Sequence, residues 1–301
     1  MSNPPTRVNP GRAAVRTANT VLTARTRSYH EPGFRTTLSL KTVQSGVARY
    51  GTRRSRYRVD RRTFALLNHG QEYTLDIRAE RPVETFALFF APGFVASVAD
   101  AATRAPRELL DDPAPRRVEV GFFERLYPRA GAVERALEGI WAALRPRRDA
   151  LALEQGFHEL AGALVGLDAG LGAEVDRCPG VRGGTRRELY QRLHHAHDVL
   201  QSCYDEPLTI ERLARHACLS PFHFLRAYKA LFGRTPLQAL QARRCEVAHH
   251  LLTRTRAPVA DVCRAVGFTS PPSFARLFRR TYGLSPSQVR KIGSAGRRPG
   301  P

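Results

Sequence analysis

Two stretches of the chain repeat one pattern. Residues 208–236 read LTIERLARHACLSPFHFLRAYKALFGRTP, and residues 257–286 read APVADVCRAVGFTSPPSFARLFRRTYGLSP. Apolar, aromatic and arginine positions recur in the same order, at an offset of 49 residues before a central turn and 50 after it. The second turn is therefore one residue longer. A repeat of this kind predicts two copies of one supersecondary unit.

Each copy carries local signals for two short helices around a turn. In the first copy, apolar residues at helical spacing predict a helix over 209–216. Ser220 is a suitable N-cap for a second helix, Pro221 fits its first position, and Gly233 is suited to end it. Outward-facing cations lie on that second helix. The pattern is typical of a helix-turn-helix, whose second helix enters the major groove of DNA.

A longer helix is predicted to join the copies, from Thr235-Pro236 to about Thr253. Roughly 17 residues span about 25 Å, which suits two second helices held about one turn of DNA apart. The alternative is an ordinary helical bundle with solvated arginines on its surface. The repeat, the caps and the spacing together favour the DNA-binding interpretation.

Over about residues 187–292 the chain resembles the DNA-binding domain of the AraC/XylS family of bacterial transcription regulators. The matching motifs are Leu208-Thr209-Ile210, Leu213-Ala214, Arg244, Ala248, Leu251-Leu252, Val262-Cys263, Val266-Gly267-Phe268, Ser273-Phe274, Arg276, Phe278 and Gly283-Leu284-Ser285-Pro286. One departure is Pro271-Pro272, which removes side-chain donors where many relatives carry polar base readers. The base preference of the second copy is therefore in question.

The resemblance implies which side chains face DNA. Base edges are expected to meet Phe222, Leu225 and Arg226 in the first copy, and Pro272, Ser273, Ala275 and Arg276 in the second. Arginine can pair with guanine through two hydrogen bonds, and apolar side chains can contact thymine methyls. His223 belongs to the same outward face, and Lys229, Arg279 and Arg280 are expected to meet phosphates.

The charge of the chain favours an acidic partner but does not identify it. The net charge is +21 and the pI is about 11.0, for which nucleic acid is the usual partner. Residues 187–292 hold 17 Lys or Arg and 7 Asp or Glu, a net charge of +10. Basic residues are thus spread over the whole chain. Only three of them are lysines, namely Lys41, Lys229 and Lys291.

The cysteines and the hydropathy pattern indicate a cytoplasmic protein. The five cysteines form no C-x-x-C pair and are expected to be small buried hydrophobic residues in a reducing cytosol: Cys178, Cys203, Cys218, Cys245 and Cys263. No run of 18 apolar residues and no secretory h-region occur in the sequence. Neither a membrane span nor a secretory signal is therefore predicted.

The N-terminal half has a different pattern, with short strands separated by turns. The predicted strands are Thr37–Leu40, Gly46–Tyr50, Arg56–Val59, Phe64–Leu67, Tyr73–Ile77 and Glu84–Phe90. Their spacing favours an antiparallel sandwich or small barrel. The segments 66–73 and 89–94 are similar, more loosely, to the cupin-like sensor domain of many family members. The implied fold class is α+β multidomain: an N-terminal antiparallel cupin-like β-barrel with following helices, then an all-α double helix-turn-helix.

A metal-binding cupin would need two histidines one residue apart on a strand. The histidines of the strand region and its following helices are isolated: His30, His69 and His158. His195 and His197 lie in a predicted helix and point to different faces. No metal and no cofactor are therefore predicted.

The sequence leaves open whether the predicted barrel binds an organic ligand. In the family pattern His69, Gln71 and Tyr73 lie near the barrel mouth, although turn and strand packing explains them equally well.

Three helices are predicted after the strands, over 119–127, 132–144 and 150–165. Their apolar stripes indicate either packing against the barrel or a dimerisation surface, and both readings stay open. The predicted domains are a sensor and dimerisation domain over 26–166, a Gly-rich linker over 167–186 and the DNA-binding domain over 187–292. Disordered tails are expected over 1–25 and 293–301.

The sequence thus predicts a sequence-specific DNA-binding transcription regulator, more an activator than a repressor. Its expected partners are double-stranded DNA, a small-molecule effector, a second copy of the chain and, by family resemblance, RNA polymerase. One alternative is a cupin-type enzyme with a helical accessory domain, for which the metal-ligand cluster and any Ser/His/Asp or Cys/His set are lacking. Another is an architectural DNA-binding protein without a ligand.

Overall fold

The chain folds into two compact units, residues 1–176 and 177–301, in a computed structural model. The structure describes residues 6–10, 15–53, 55–104, 120–144, 149–179 and 183–295. Unit 1 contains the strands and unit 2 contains the duplicated helices.

Unit 1 is built on one eight-stranded sheet. Its strands are β1 Arg7–Val8, β2 Thr20–Arg35, β3 Ser39–Ser45, β4 Ala48–Gly51, β5 Arg56–Val59, β6 Thr63–Leu67, β7 Glu72–Phe89 and β8 Leu126–Pro128. The main path is β1-β2-β7-β3-β6-β8, with β4 pairing to β5 and β7. Only β1 and β2 pair in parallel; the other pairs are antiparallel.

The long strand β7 organises this sheet. It pairs with β2 from Thr20↔Phe89 to Arg35↔Glu72, with two register shifts in β2. Its C-terminal half also pairs with β3, and its N-terminal half also pairs with β4. Because side chains alternate along a strand, β7 contributes to two different cores.

The first core lies between one face of the sheet and three helices, α1 Phe94–Thr103, α2 Gly131–Ala143 and α3 Ala150–Asp176. Its buried members include Leu40, Phe64, Phe86, Leu88, Leu137, Ile140, Leu153, Phe157, Leu160 and Leu164. The apolar stripes predicted for α2 and α3 therefore pack within the unit. The two helices approach closely at Gly156, where an added Cβ would lie 2.5 Å from Cγ1 of Ile140.

The second core lies on the other side of the sheet and is rich in tyrosine. It contains Val43, Ala48, Tyr50, Tyr57, Val59, Ala65, Leu67, Tyr73, Ile77 and Val83. Of the residues expected at a barrel mouth, Tyr73 is buried here, whereas His69 is exposed in a turn. Gln71 accepts a hydrogen bond from the backbone N of Asn68 at 2.9 Å, so it supports that turn.

The predicted closed barrel is not confirmed. Among the described residues, the strand path ends at β1 and at β8 without a pairing between them. Two expected strands, over 73–77 and 84–90, are one continuous strand, β7.

The prediction of a disordered tail over 1–25 is wrong for its described part. Arg7 and Val8 pair with Thr20 and Val21, while Val15 is almost completely buried. The segment is held by backbone pairing and a few buried side chains, which composition does not reveal.

The predicted helix over 119–127 is also wrong over its described residues. Tyr127 pairs with Phe64 in β8, and Phe122 and Phe123 are buried outside any helix. Apolar spacing was compatible with a helix, but the strand edge of β6 supplied backbone partners.

Unit 2 is all-helical, as predicted. Its helices are α4 Gly183–Ser202, α5 Ile210–His216, α6 Pro221–Phe232, α7 Pro236–Arg254, α8 Val259–Ala265, α9 Pro271–Tyr282 and α10 Pro286–Ala295. The segment between the two helices is shorter than the predicted linker over 167–186, because α3 continues to Asp176 and α4 begins at Gly183. Gly166, Gly170 and Gly172 have no neighbours within 4 Å of an added Cβ, and glycine disfavours a helix by only about 1 kcal/mol.

The predicted C-terminal tail begins as helix, since α10 reaches Ala295. Residues 296–301 lie outside the described part. None of the described helices combines the length and the hydropathy needed to cross a membrane.

Candidate nucleic-acid interface

The first copy of the repeat is a helix-turn-helix formed by α5 and α6. Thr209 caps α5 by accepting a hydrogen bond from the backbone N of Arg212 at 3.2 Å. Ser220 caps α6 by accepting one from His223 N at 3.4 Å, and Gly233 ends α6 with φ 68°. The intervening turn contains Cys218 at φ 52°, in the left-handed region that disfavours residues with a Cβ.

The second copy, α8 and α9, repeats this construction, except that α8 follows Pro258 without a side-chain cap. Ser270 accepts from Ser273 N at 3.4 Å, Pro271 follows it, and Gly283 ends α9 with φ 72°. Its turn contains Gly267 at φ 82°, the residue 49 positions after Cys218. The duplicated caps predicted from sequence are thus confirmed in both copies.

The outward face of α6 combines cations with exposed apolar groups. Phe222 is 72% exposed and Leu225 is 38% exposed, although both side chains are large and apolar. His223, Arg226 and Lys229 are also exposed on this helix. The inward face, by contrast, is buried through Phe224, Ala227, Tyr228 and Leu231.

The outward face of α9 is polar and basic. Pro272, Ser273, Arg276, Arg279 and Arg280 are exposed, whereas Ala275 is half-buried. The inward side is held by Phe274 and Phe278.

Five cations on the two helices have no described carboxylate within ion-pair distance: Arg226, Lys229, Arg276, Arg279 and Arg280. Each copy therefore presents cations that can contact an anion without first breaking an ion pair.

The connecting helix α7 begins with a capping box. Thr235 Oγ1 accepts from Gln238 N at 3.2 Å, and Gln238 Oε1 accepts from Thr235 N at 2.9 Å. The same reciprocal pair recurs before α10, where Ser285 N donates to Gln288 Oε1 at 2.8 Å and Gln288 N donates to Ser285 Oγ at 3.3 Å. The repeat therefore extends through α7 and α10.

Arg244 of α7 fixes the second turn. Its guanidinium donates to the carbonyl oxygens of Tyr204 at 2.7 Å and Glu206 at 3.0 Å, and it lies 5.5 Å from the ring of Phe268. An added Cβ at Gly267 would lie 2.8 Å from Arg244 and from the Asp205 carbonyl. Glycine is required here both for its backbone angle and for the space.

Two histidines support α6 and α9, a role that the sequence pattern did not indicate. His197 of α4 stacks on Phe232 at 4.4 Å and shares a 2.6 Å hydrogen bond with the Tyr228 hydroxyl. His249 of α7 stacks on Tyr282 at 4.6 Å. Burial also raises the pKa of Tyr228, which keeps its hydroxyl neutral. The repeat of Phe232 as Tyr282 was visible, but no spacing rule marked the histidine partners.

Cys218 contradicts the prediction that the cysteines are buried. It is exposed in the first turn, whereas Cys178, Cys245 and Cys263 are buried and Cys203 is intermediate. Within the described ranges, no group of three or more His, Cys, Asp or Glu side chains is placed to hold a metal ion.

Comparisons with known proteins agree with this construction. A helix-turn-helix domain family model matches residues 213–292. The MmsAB operon regulatory protein of Pseudomonas aeruginosa is 45% identical over 105 residues, covering 35% of this chain and 34% of that protein. The arabinose operon regulatory protein of Escherichia coli is 36% identical over 86 residues, covering 29% of this chain and 30% of that protein.

Among solved structures, the DNA-binding domain of AdpA in complex with a target DNA is 33% identical. The match covers 37% of this chain and 97% of that domain, with a TM-score of 0.32. The chain spans about a third of the length of the curated relatives it matches. The family model lies within the duplicated helical part, and residues 213–292 are a helix-turn-helix domain of the AraC type.

Proposed function

We propose that the whole chain is a sequence-specific DNA-binding transcription regulator, acting as an activator. The observation that carries this proposal is the two-faced build of α6 and α9. Each helix is fixed on its inward side by aromatic packing and presents cations without a described acidic partner on its outward side. Phosphate contacts position such a helix and base contacts give it specificity.

The proposed roles of the side chains follow from their chemistry. Arg226 and Arg276 pair with guanine, and the exposed Phe222 and Leu225 contact thymine methyls. Lys229, Arg279 and Arg280 bind phosphates. Because α9 begins with Pro271-Pro272, base reading by the second copy rests on Ser273 and Arg276, with the half-buried Ala275 close to the DNA.

Unit 1 is proposed to sense a small molecule, to form a homodimer, or both. Its cavity, described below, favours sensing over a purely architectural role. RNA polymerase as a partner and a cytoplasmic location follow from the family resemblance. The relatives reported above are regulators by name, which favours this function over a cupin-type enzyme.

The test is selection of binding sites from a random duplex library with the full chain, followed by single variants. Arg276→Ala is expected to weaken binding to the selected site by about 1–3 kcal/mol and to relax one base position, as loss of a bidentate contact would. Arg280→Ala is expected to weaken binding to all sequences equally and to reduce the salt slope by about 0.9, as loss of one phosphate contact would.

The control is Arg78→Ala, which removes the same charge from an exposed position of unit 1. It should leave site preference unchanged. A uniform loss from Arg276→Ala across all sequence variants would overturn the base-reading role. Failure to enrich any sequence would overturn the proposed function itself.

A further inference from the structure

Unit 1 contains a cavity of about 230 Å³. Strands β2, β3, β4 and β7 supply most of its walls, and five aromatic residues line it: Tyr29, Phe34, Tyr50, Tyr73 and Phe89. An apolar cavity of about 150 Å³ is enough to hold benzene. This cavity can therefore accept a ligand of about ten non-hydrogen atoms.

Lys41 of β3 lines this cavity and is the unusual feature of the unit. It is 1% exposed, and its Nζ has no hydrogen-bond partner among the described residues. The ammonium lies 3.5 Å from the ring centroid of Phe89 and 4.5 Å from that of Tyr73. Burial lowers the pKa of Lys41 well below its usual value.

A buried ammonium without a hydrogen-bonding partner is strongly unfavourable. A methionine of similar length would fill the same space without that penalty. The aromatic faces offset part of the penalty, since cations are attracted to ring faces, but they accept no conventional hydrogen bond. Lys41 therefore lines an interior that can hold a ligand, and no described residue accepts a hydrogen bond from its Nζ.

The tyrosine hydroxyls and the Glu31 carboxylate of the cavity carry no positive charge that could pair with an anion. The hydroxyl of Tyr29 donates to Glu31 Oε2 at 3.1 Å, so that carboxylate already has a donor. Burial raises the pKa of Tyr50, which keeps its hydroxyl neutral. Among the described residues that line the cavity, Lys41 is thus the basic side chain that can pair with a bound anion.

We propose that the cavity binds a small organic monoanion of about ten non-hydrogen atoms in all, a carboxylate with an apolar aromatic body. The carboxylate pairs with the Lys41 ammonium, and the body packs against the rings of Tyr50, Tyr73 and Phe89. This inference rests on the sensing role proposed above and gives it a ligand class. A carboxylate also supplies the acceptors that the described residues do not provide to Lys41.

The test uses three probes of matched shape with the full chain: 3-phenylpropanoate, 3-phenylpropanamide and 3-phenylpropylamine. Binding is measured by calorimetry and by the shift in Tm, without DNA. The carboxylate is expected to bind at least tenfold more tightly than the amide, and the amine least tightly. Lys41→Met is expected to remove the advantage of the carboxylate and to leave amide binding within twofold.

The control is Lys291→Met, which removes an exposed ammonium from unit 2 and should preserve the order of the probes. Without a ligand, Lys41→Met should melt no lower than the parent protein, so lost binding cannot be attributed to unfolding. Because the chain has three lysines, carbon-13 labelling of lysine gives three resolvable side-chain signals. The Lys41 signal should report a raised pKa when 3-phenylpropanoate binds.

Equal binding of carboxylate and amide would overturn the proposal, as would preferred binding of the amine or the absence of binding by all three probes. Unchanged carboxylate binding by Lys41→Met would overturn the role of Lys41. The regulator function is judged separately by site selection. Ligand binding without any selected DNA site would contradict that function and leave the cavity assignment standing.

Discussion

At the scale of single residues, the two turns of the repeat use different residues for one backbone shape. Cys218 and Gly267 occupy equivalent positions, with φ of 52° and 82°. A residue with a Cβ is disfavoured by about 1–2 kcal/mol in this region, whereas glycine adopts it readily. The first turn therefore contains local strain that the second turn avoids.

Exchanging the residue types should move stability in opposite directions. Cys218→Gly is expected to stabilise the protein by about 0.5–1 kcal/mol, the strain relieved less the added freedom of the unfolded chain. Gly267→Ala is expected to destabilise it by about 2–3 kcal/mol, because the new Cβ meets both Arg244 and a backbone carbonyl. Urea unfolding of both variants measures the two effects. A destabilising Cys218→Gly would show that the turn is not strained.

At the scale of helices and strands, local signals determined what could be predicted. Helices α6, α7 and α9 were predictable because Ser220, Thr235 and Ser270 each precede a proline, which marks a helix start with little dependence on distant contacts. Strand β2 was largely missed. Many of its side chains are exposed and it contains Pro32. Its pairing with β7 is set by residues between 37 and 69 positions away, from Arg35↔Glu72 to Thr20↔Phe89.

The candidate site residues also differ in whether a local sequence signal could predict them. The outward residues of α6 and α9 followed from helical periodicity and the resemblance. The burial of Lys41 did not, since no pattern distinguishes a lysine facing a cavity from one facing solvent along an alternating strand. The strand at Tyr127 was misread as a helix for a related reason, because three-residue pairing with β6 depends on tertiary contact.

The contact between helices α2 and α3 gives a prediction at this scale. Gly156→Ala is expected to destabilise unit 1 by about 1–3 kcal/mol, because the methyl group would overlap Cγ1 of Ile140. Gly162→Ala, six residues later on the same helix, meets no atom within 4 Å and is expected to stabilise by about 0.5–1 kcal/mol. Thermal unfolding of the two variants tests the difference. Equal effects would show that the helices do not touch at Gly156.

At the scale of the whole molecule, positive charge is not confined to the unit that carries α6 and α9. Residues 187–292 hold a net charge of +10 out of +21 for the chain. A charge of this size attracts any DNA, whatever its sequence. Specificity must then come from the few side chains that reach base edges.

A double variant should separate these two contributions. Arg226→Ala with Arg276→Ala is expected to lose discrimination between the selected duplex and a scrambled one. It should keep sequence-independent binding that weakens by about 10³-fold or more between low and physiological salt, if six or more phosphate contacts persist. Fluorescence anisotropy with both duplexes gives the comparison. Discrimination that survives in the double variant would place base reading elsewhere.

The connecting helix α7 has a further consequence. Its 19 residues run without interruption from the cap of Thr235 to Arg254, and each residue adds about 1.5 Å and turns the helix by about 100°. A single inserted or deleted residue would therefore rotate α9 by about 100° relative to α6 about the axis of α7. The number of residues in α7 therefore fixes the rotation of α9 relative to α6. The DNA sequence that the proposed regulator selects can therefore change through substitutions on α6 and α9. Insertions and deletions within 236–254 would instead destroy the relative placement of the two helices.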